Sequence, residues 1–148
     1  MQELEQYYTI VEEAISSLGV PPEKSRGKDP GQWNLQRKEL VIWVDLWNIE
    51  KVERPFFQVL TPIMTLPEAH EREDLYRELL EINNSIFVVS FAIHQGNVYL
   101  KSVREAAGLS VEDVKSTLHY CGYYSEYYAE RLINKFGGKK LVNEQTDN

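Results

Sequence analysis

The sequence predicts an α+β domain in which an antiparallel sheet of about five strands carries helices, in the order α-β-β-β-α-β-β-α. Three observations predict it. Apolar residues recur at helical spacing near the start, the middle and the end of the 148 residues. Short runs with period-two or two-sided apolar patterning lie between those helices. Gly, Pro and Asn punctuate the joins.

In residues 2–18, Leu4, Tyr7, Tyr8, Val11, Ile15 and Leu18 share one helical face, and Gly19 followed by Pro21 and Pro22 stops the helix. Residues 23–31 are charged and rich in Gly and Pro, so they read as a loop before a short strand at residues 33–36. Residues 40–49 give the longest strand. Leu40, Ile42, Val44 and Leu46 fall on one face, and Val41, Trp43, Trp47 and Ile49 on the other, where only Asp45 interrupts. Both faces call for cover, which suits a central strand with helices on one side and another apolar surface opposite. After a turn at residues 50–54, residues 56–64 return with a similar pattern broken by Gln58 and Pro62. Pro62 lacks a ladder donor and belongs at an edge, a bulge or a strand end.

Thr65, Leu66, Pro67 and Glu68 have the spacing of a capping box with proline in the first turn. Leu75, Leu79 and Ile82 then repeat as one face of a second helix that ends near Asn83 and Asn84. Residues 86–93 read as a strand apolar on both faces, residues 94–97 as a hairpin turn, and residues 98–103 as an alternating strand. Ser110, with Asp113 three residues on, caps a third helix that Gly137 and Gly138 end after Phe136. Residues 1–138 are thus expected to form a single domain and residues 139–148 a mobile polar tail.

The last helix carries an unusual surface. Five of the nine tyrosines, Tyr120, Tyr123, Tyr124, Tyr127 and Tyr128, lie between residues 120 and 128. At about 100° per residue, Val114, Leu118, Cys121, Ser125, Leu132 and Phe136 form the core stripe, with Val111 and Ala129 at its edge. Tyr128 borders that stripe, whereas Tyr120, Tyr123 and Tyr127 point away from it, beside Glu112, His119, Glu126 and Glu130. Tyrosine offers large contact area at low entropy cost and a polar tip, so this face suits a contact surface, within the fold or between chains.

Composition narrows the function. A formal charge of −7, with scattered lysines and arginines, argues against general nucleic-acid binding, which needs a basic footprint. No basic amphipathic helix, secretion signal or spanning segment is read, so no membrane partner is expected. The single Cys121, on the core stripe, reads as a buried free thiol in a reducing, cytoplasmic setting.

Constellations for chemistry are weak. His119 and Cys121 diverge on one helix, and His70 with Asp74 reads as a surface polar pair, so no metal or cofactor is expected. Neither a nucleophile elbow nor a phosphate-cradling glycine loop occurs. The acids Glu68, Glu71, Glu73, Asp74 and Glu78 read as a solvated helical face. Asp45 is the most informative acid. It either meets Arg37, Lys51 or a cross-strand donor at the rim, or belongs to an open Trp43, Asp45 and Trp47 face that forms part of a partner groove.

The run Leu79-Leu80-Glu81-Ile82-Asn83, an apolar strand, a hairpin at Gly96, Val98-Tyr99-Leu100, and Leu109-Ser110 opening a helix together resemble the YbjN family and the wider group shaped like type III secretion chaperones. The first half adds matching element order. The resemblance implies homodimers and, in secretion chaperones, capture of an extended partner segment. The tyrosine-rich last helix and the Trp43 and Trp47 pair depart from the pattern.

The expected function is therefore a non-enzymatic interaction module, chaperone-like or a regulatory adaptor, binding a segment of a client protein and pairing as a homodimer. Its expected contact residues are Trp43, Asp45, Trp47, Tyr120, Tyr123 and Tyr127. The competing reading is a small-molecule domain with an aromatic pocket around Trp43, Trp47 and Phe57. A hydrolase would require His70 or His94 to meet a carboxylate in a cleft.

Overall fold

A computed structural model describes residues 2–141. Helix α1 (Gln2–Ser17) ends at Gly19, which takes the left-handed conformation, φ 87°, that a residue without Cβ adopts freely. Where the sequence predicted only a loop, Pro22 at the first turn starts a one-turn helix α2 (Pro22–Ser25), held by the Ser25 hydroxyl donating to the Pro22 carbonyl at 2.8 Å. Strands β1 (Gln32–Arg37), β2 (Leu40–Ile49) and β3 (Arg54–Thr65) follow. After α3 (Ala69–Asn83) come β4 (Ser90–His94), β5 (Asn97–Glu105) and the long α4 (Val111–Phe136).

The five strands form one antiparallel sheet in the order β1-β2-β3-β5-β4. Pro62 falls where the β3–β5 register shifts, the bulge that its missing N–H calls for. Gln95 and Gly96, both with positive φ, make the two-residue turn between β4 and β5.

Period two decides which side of the sheet is closed. Ile42, Val44 and Leu46 of β2, and Phe57 and Val59 of β3, pack into one core with Val11, Ala14 and Ile15 of α1 and with Leu118, Cys121 and Leu132 of α4. The Ser110 capping box forms as expected: its hydroxyl accepts from Asp113 N at 3.1 Å, and the Asp113 carboxylate accepts from Ser110 N at 3.0 Å. Cys121 is fully buried against Thr61, and burial pushes its thiol up to about 11.

Three local expectations are corrected. Thr65 does not cap α3. It is the last residue of β3, and its hydroxyl accepts from Lys139 N at 2.9 Å, so α3 begins after Glu68 with no side-chain cap. Residues 86–89 are not strand. Val89 N donates to the Phe87 carbonyl at 2.8 Å across Val88, whose φ of 73° is strained for a β-branched residue, and pairing starts only at Ser90. Asn83 holds that start in place, accepting from Phe91 N at 2.7 Å and donating to the Phe91 carbonyl at 3.3 Å. The expected tail is not free at its outset. Thr65 N donates to the Lys139 carbonyl, Lys140 bridges to Met64, and Leu141 is buried; residues 142–148 lie outside the described residues.

Candidate partner-binding site

The face of the sheet turned away from α1 and α4 carries the first group of expected contact residues. Strand register sets them in rows. Asn34, Trp43, Leu60 and Lys101 lie side by side across β1, β2, β3 and β5; next come Gln32, Asp45, Gln58 and Val103; then Trp47, Phe56 and Glu105. Trp43, Trp47, Phe56 and Leu60 are each half-buried, and none belongs to the core or packs on it. Trp47 and Phe56 lie with ring centroids 6.3 Å apart. The aromatic surface is thus built from strand alternation alone, with no helix over it.

Asp45 sits between the two tryptophans in the middle row. Among the described residues its one hydrogen-bond donor is Gln58 Nε2, at 3.4 Å from Oδ2. Among the described residues no ion pair includes it. Arg37, one of the partners expected from the sequence, reaches Glu126 instead, at 2.7 Å, and Lys38 joins the same carboxylate. Burial pushes the Asp45 carboxyl above the ordinary aspartate range, and the long bond from Gln58 opposes this only in part. Pro30, Gly31, Gln32, Leu46, Trp47 and Gln58 line an open cleft of about 280 Å³ beside it.

The second group stands on α4. Tyr123 and Tyr127 are 48 % and 45 % exposed, and Tyr120 is half-buried; none of the three packs on the core, whereas Tyr124 and Tyr128 do. Stacking runs along the helix. Tyr123 lies 6.4 Å from Tyr127 and 6.2 Å from His119, and the Arg131 guanidinium stands 4.1 Å over the Tyr127 ring. Tyr124 extends the patch, its hydroxyl accepting from Phe87 N at 3.4 Å, beside the exposed Phe87 and Val88. The structure does not join the two groups: one covers the open sheet face, the other a helix that packs on the opposite face.

The expected aromatic pocket with Phe57 does not form. Phe57 is 1 % exposed and points into the core, because it pairs with Leu46, while Phe56 opposite Trp47 occupies the outer face. Phe56, Leu60 and Gln58 are outer-face residues absent from the sequence-based expectation, and the register with β2, which sets them opposite Trp47, Trp43 and Asp45, is what places them. The hydrolase arrangement is also absent: His70 is exposed, 3.6 Å from its neighbour Glu71 on the helix surface. Among the described residues no group of three His, Cys, Asp or Glu side chains could hold a metal, and no helix is long and apolar enough to cross a membrane.

Residues 5–144 match the model of the TY-Chap1 family, described as T3SS (YopN, CesT) and YbjN peptide-binding chaperone 1. The chain belongs to this family. Solved structures agree in fold. A chain of the ExsC–ExsE complex is similar with a TM-score of 0.64 and 20% identity, over 87% of this chain and 95% of that one. A chain of the HopA1–SchA chaperone–effector complex reaches 0.63 at 13% identity, over 88% and 98%. A chain of the heterodimeric ExoU–SpcU complex from the type III secretion system of Pseudomonas aeruginosa reaches 0.59 at 12%, over 84% and 96%. No curated protein matches in sequence. As a TY-Chap1 member the chain is a peptide-binding chaperone and not an enzyme, in keeping with the layout resemblance between residues 79 and 110.

Proposed function

We propose that this TY-Chap1 chain captures an extended segment of a client protein on the open face of β2 and β3, with Trp43, Asp45 and Trp47 as contact residues, and pairs with a second copy through Tyr120, Tyr123 and Tyr127. The observation that carries the first part is the two rows, Trp43 with Leu60 and Trp47 with Phe56, which no helix among the described residues covers. An extended peptide fits such a surface because alternate side chains meet the rows while the others stay solvated. All three of the similar solved folds were obtained as complexes, one of them a chaperone with its effector, which supports an effector segment as the client class.

The second part rests on the tyrosine patch continuing into Phe87, 65 % exposed, and Val88, 50 % exposed. Two helix-mounted aromatic ladders suit an isologous contact, in which each patch meets its own copy.

Selection of peptides from a displayed random library, followed by binding measurements on one selected peptide, tests the reading. Trp43→Ser should weaken the peptide at least about tenfold, while Tyr123→Ser/Tyr127→Ser should leave peptide affinity in place and halve the mass in solution. Unchanged peptide affinity in Trp43→Ser would overturn the sheet-face assignment. An unchanged mass in the tyrosine variant would overturn the dimer.

A further inference from the structure

On β2 and β3 the middle row of the outer face is polar, whereas the rows on either side are aromatic or apolar there. Gln32, Asp45 and Gln58 cross three strands between the Trp43–Leu60 row and the Trp47–Phe56 row. Two of these side chains are amides and can donate or accept. Asp45 can only accept when ionised, and its single donor among the described residues is the distant Gln58 amide. Elsewhere the carboxylates Glu12, Glu39, Glu78 and Glu126 each have a lysine or arginine within ion-pair reach, so a half-buried acid left with one weak amide stands apart.

We propose that Asp45 is the acceptor for one basic side chain, arginine or lysine, carried by the bound segment, with Trp47 as the wall against which that side chain lies. This rests on the peptide-binding reading of the same face and names the chemistry it selects. The cleft of about 280 Å³ beside Asp45 is open, so a guanidinium or ammonium group can enter from the peptide side. There it meets a carboxylate on one flank and an indole on another, the two partners that favour a cation most. Burial holds the Asp45 carboxyl above its ordinary range, and a cation in the cleft would remove that penalty. An acidic side chain at the same place would be repelled, and a neutral one would leave the carboxylate desolvated without a partner. The −7 charge of the chain draws basic segments in the same direction.

The test is a charge-reversal selection. Wild type, Asp45→Asn and Asp45→Lys, each checked for an unchanged fold by circular dichroism, are panned against one displayed library of random peptides. Wild type should return peptides sharing Arg or Lys at one position. Replacing that residue by Gln should weaken binding to wild type about tenfold or more, and leave binding to Asp45→Asn unchanged. Asp45→Lys should return Asp or Glu at that position. Peptides selected with no shared basic position, or Arg and Gln peptides held equally by wild type, overturn the cation site while leaving peptide binding intact. A wild-type panning that enriches nothing overturns the peptide-binding reading itself, and the cation site with it.

Discussion

The two faces of β2 and β3 are made from the same strands, in the same register, and both carry apolar side chains, yet they have different fates. Val44, Phe57 and Val59 on one face are 0 %, 1 % and 0 % exposed, closed under α1 and α4. Trp43, Trp47, Phe56 and Leu60 on the other face are half-buried, and none of them packs on the core. Two acids repeat the contrast. Glu12, on α1, accepts from Arg26 Nε and Nη2 at 2.7 Å each and from the buried Trp33 indole at 2.9 Å, and the Arg26 hydrogen bonds hold its carboxyl below the ordinary range. Asp45, on the open layer, has one long bond and a raised carboxyl. The inner face stores the stability of the fold, and the outer face is left open.

The sharpest test of that contrast is a pair of aromatic truncations. Phe57→Ala should destabilise the protein by about 3–5 kcal/mol, because it opens a cavity in a closed core, whereas Trp47→Ala should cost only about 1 kcal/mol. Urea denaturation of both variants checks this, and comparable losses would break the distinction between the faces.

Glu12→Ala should come next, at about 1–3 kcal/mol, since it leaves the buried Trp33 donor without its acceptor. Its pH dependence has a definite sign. A carboxyl depressed in the folded state contributes stability that is present above the ordinary glutamate range and lost as pH falls through the folded value. The gap between wild type and Glu12→Ala should therefore narrow on acidification, as followed by melting temperature.

Asp45→Asn should do the reverse. A carboxyl raised by burial favours folding while it is protonated, and that contribution is lost as pH rises through the folded value. The variant should melt about 1–2 °C above wild type at neutral pH and together with it in acid. A lower melting temperature at neutral pH would mean that Asp45 is a structural partner after all.

The smallest effect on stability is expected for Tyr123→Ser/Tyr127→Ser, within about 0.5 kcal/mol, because neither ring packs on the core. If the proposed pairing holds, light scattering should at the same time register a halved mass.

Most of this architecture was legible because hydrophobic period and caps are local. Period two separated Leu40, Ile42, Val44 and Leu46 from Trp43 and Trp47, the Ser110 box fixed the start of α4, and the core stripe of α4 placed Tyr120, Tyr123 and Tyr127 outside it. What failed depended on distant partners. Thr65 fits a helix cap by spacing, but Lys139, remote in sequence, occupies its hydroxyl and its backbone N–H. Residues 86–89 are β-branched and aromatic enough for a strand, yet with the turn at Val88, Val89 joins the core, Ile86 packs partly buried against it and Phe87 is left exposed. Phe57 was assigned to the wrong face because a turn of unknown length at residues 50–53 hides the parity of β3. The polar row of Gln32, Asp45 and Gln58 needed three strands in register, which no single strand discloses.

The three tryptophans supply the most direct test of the central claim, since Trp33 lies in the core at 2 % exposure while Trp43 and Trp47 lie on the open face. Indole N–H signals of the three, assigned by single Trp→Phe variants, can be followed by ¹⁵N NMR while a library-selected peptide is added. Signals of Trp43 and Trp47 should shift in proportion to occupancy while that of Trp33 stays in place. A peptide that binds with Trp43 and Trp47 unmoved would contradict the account.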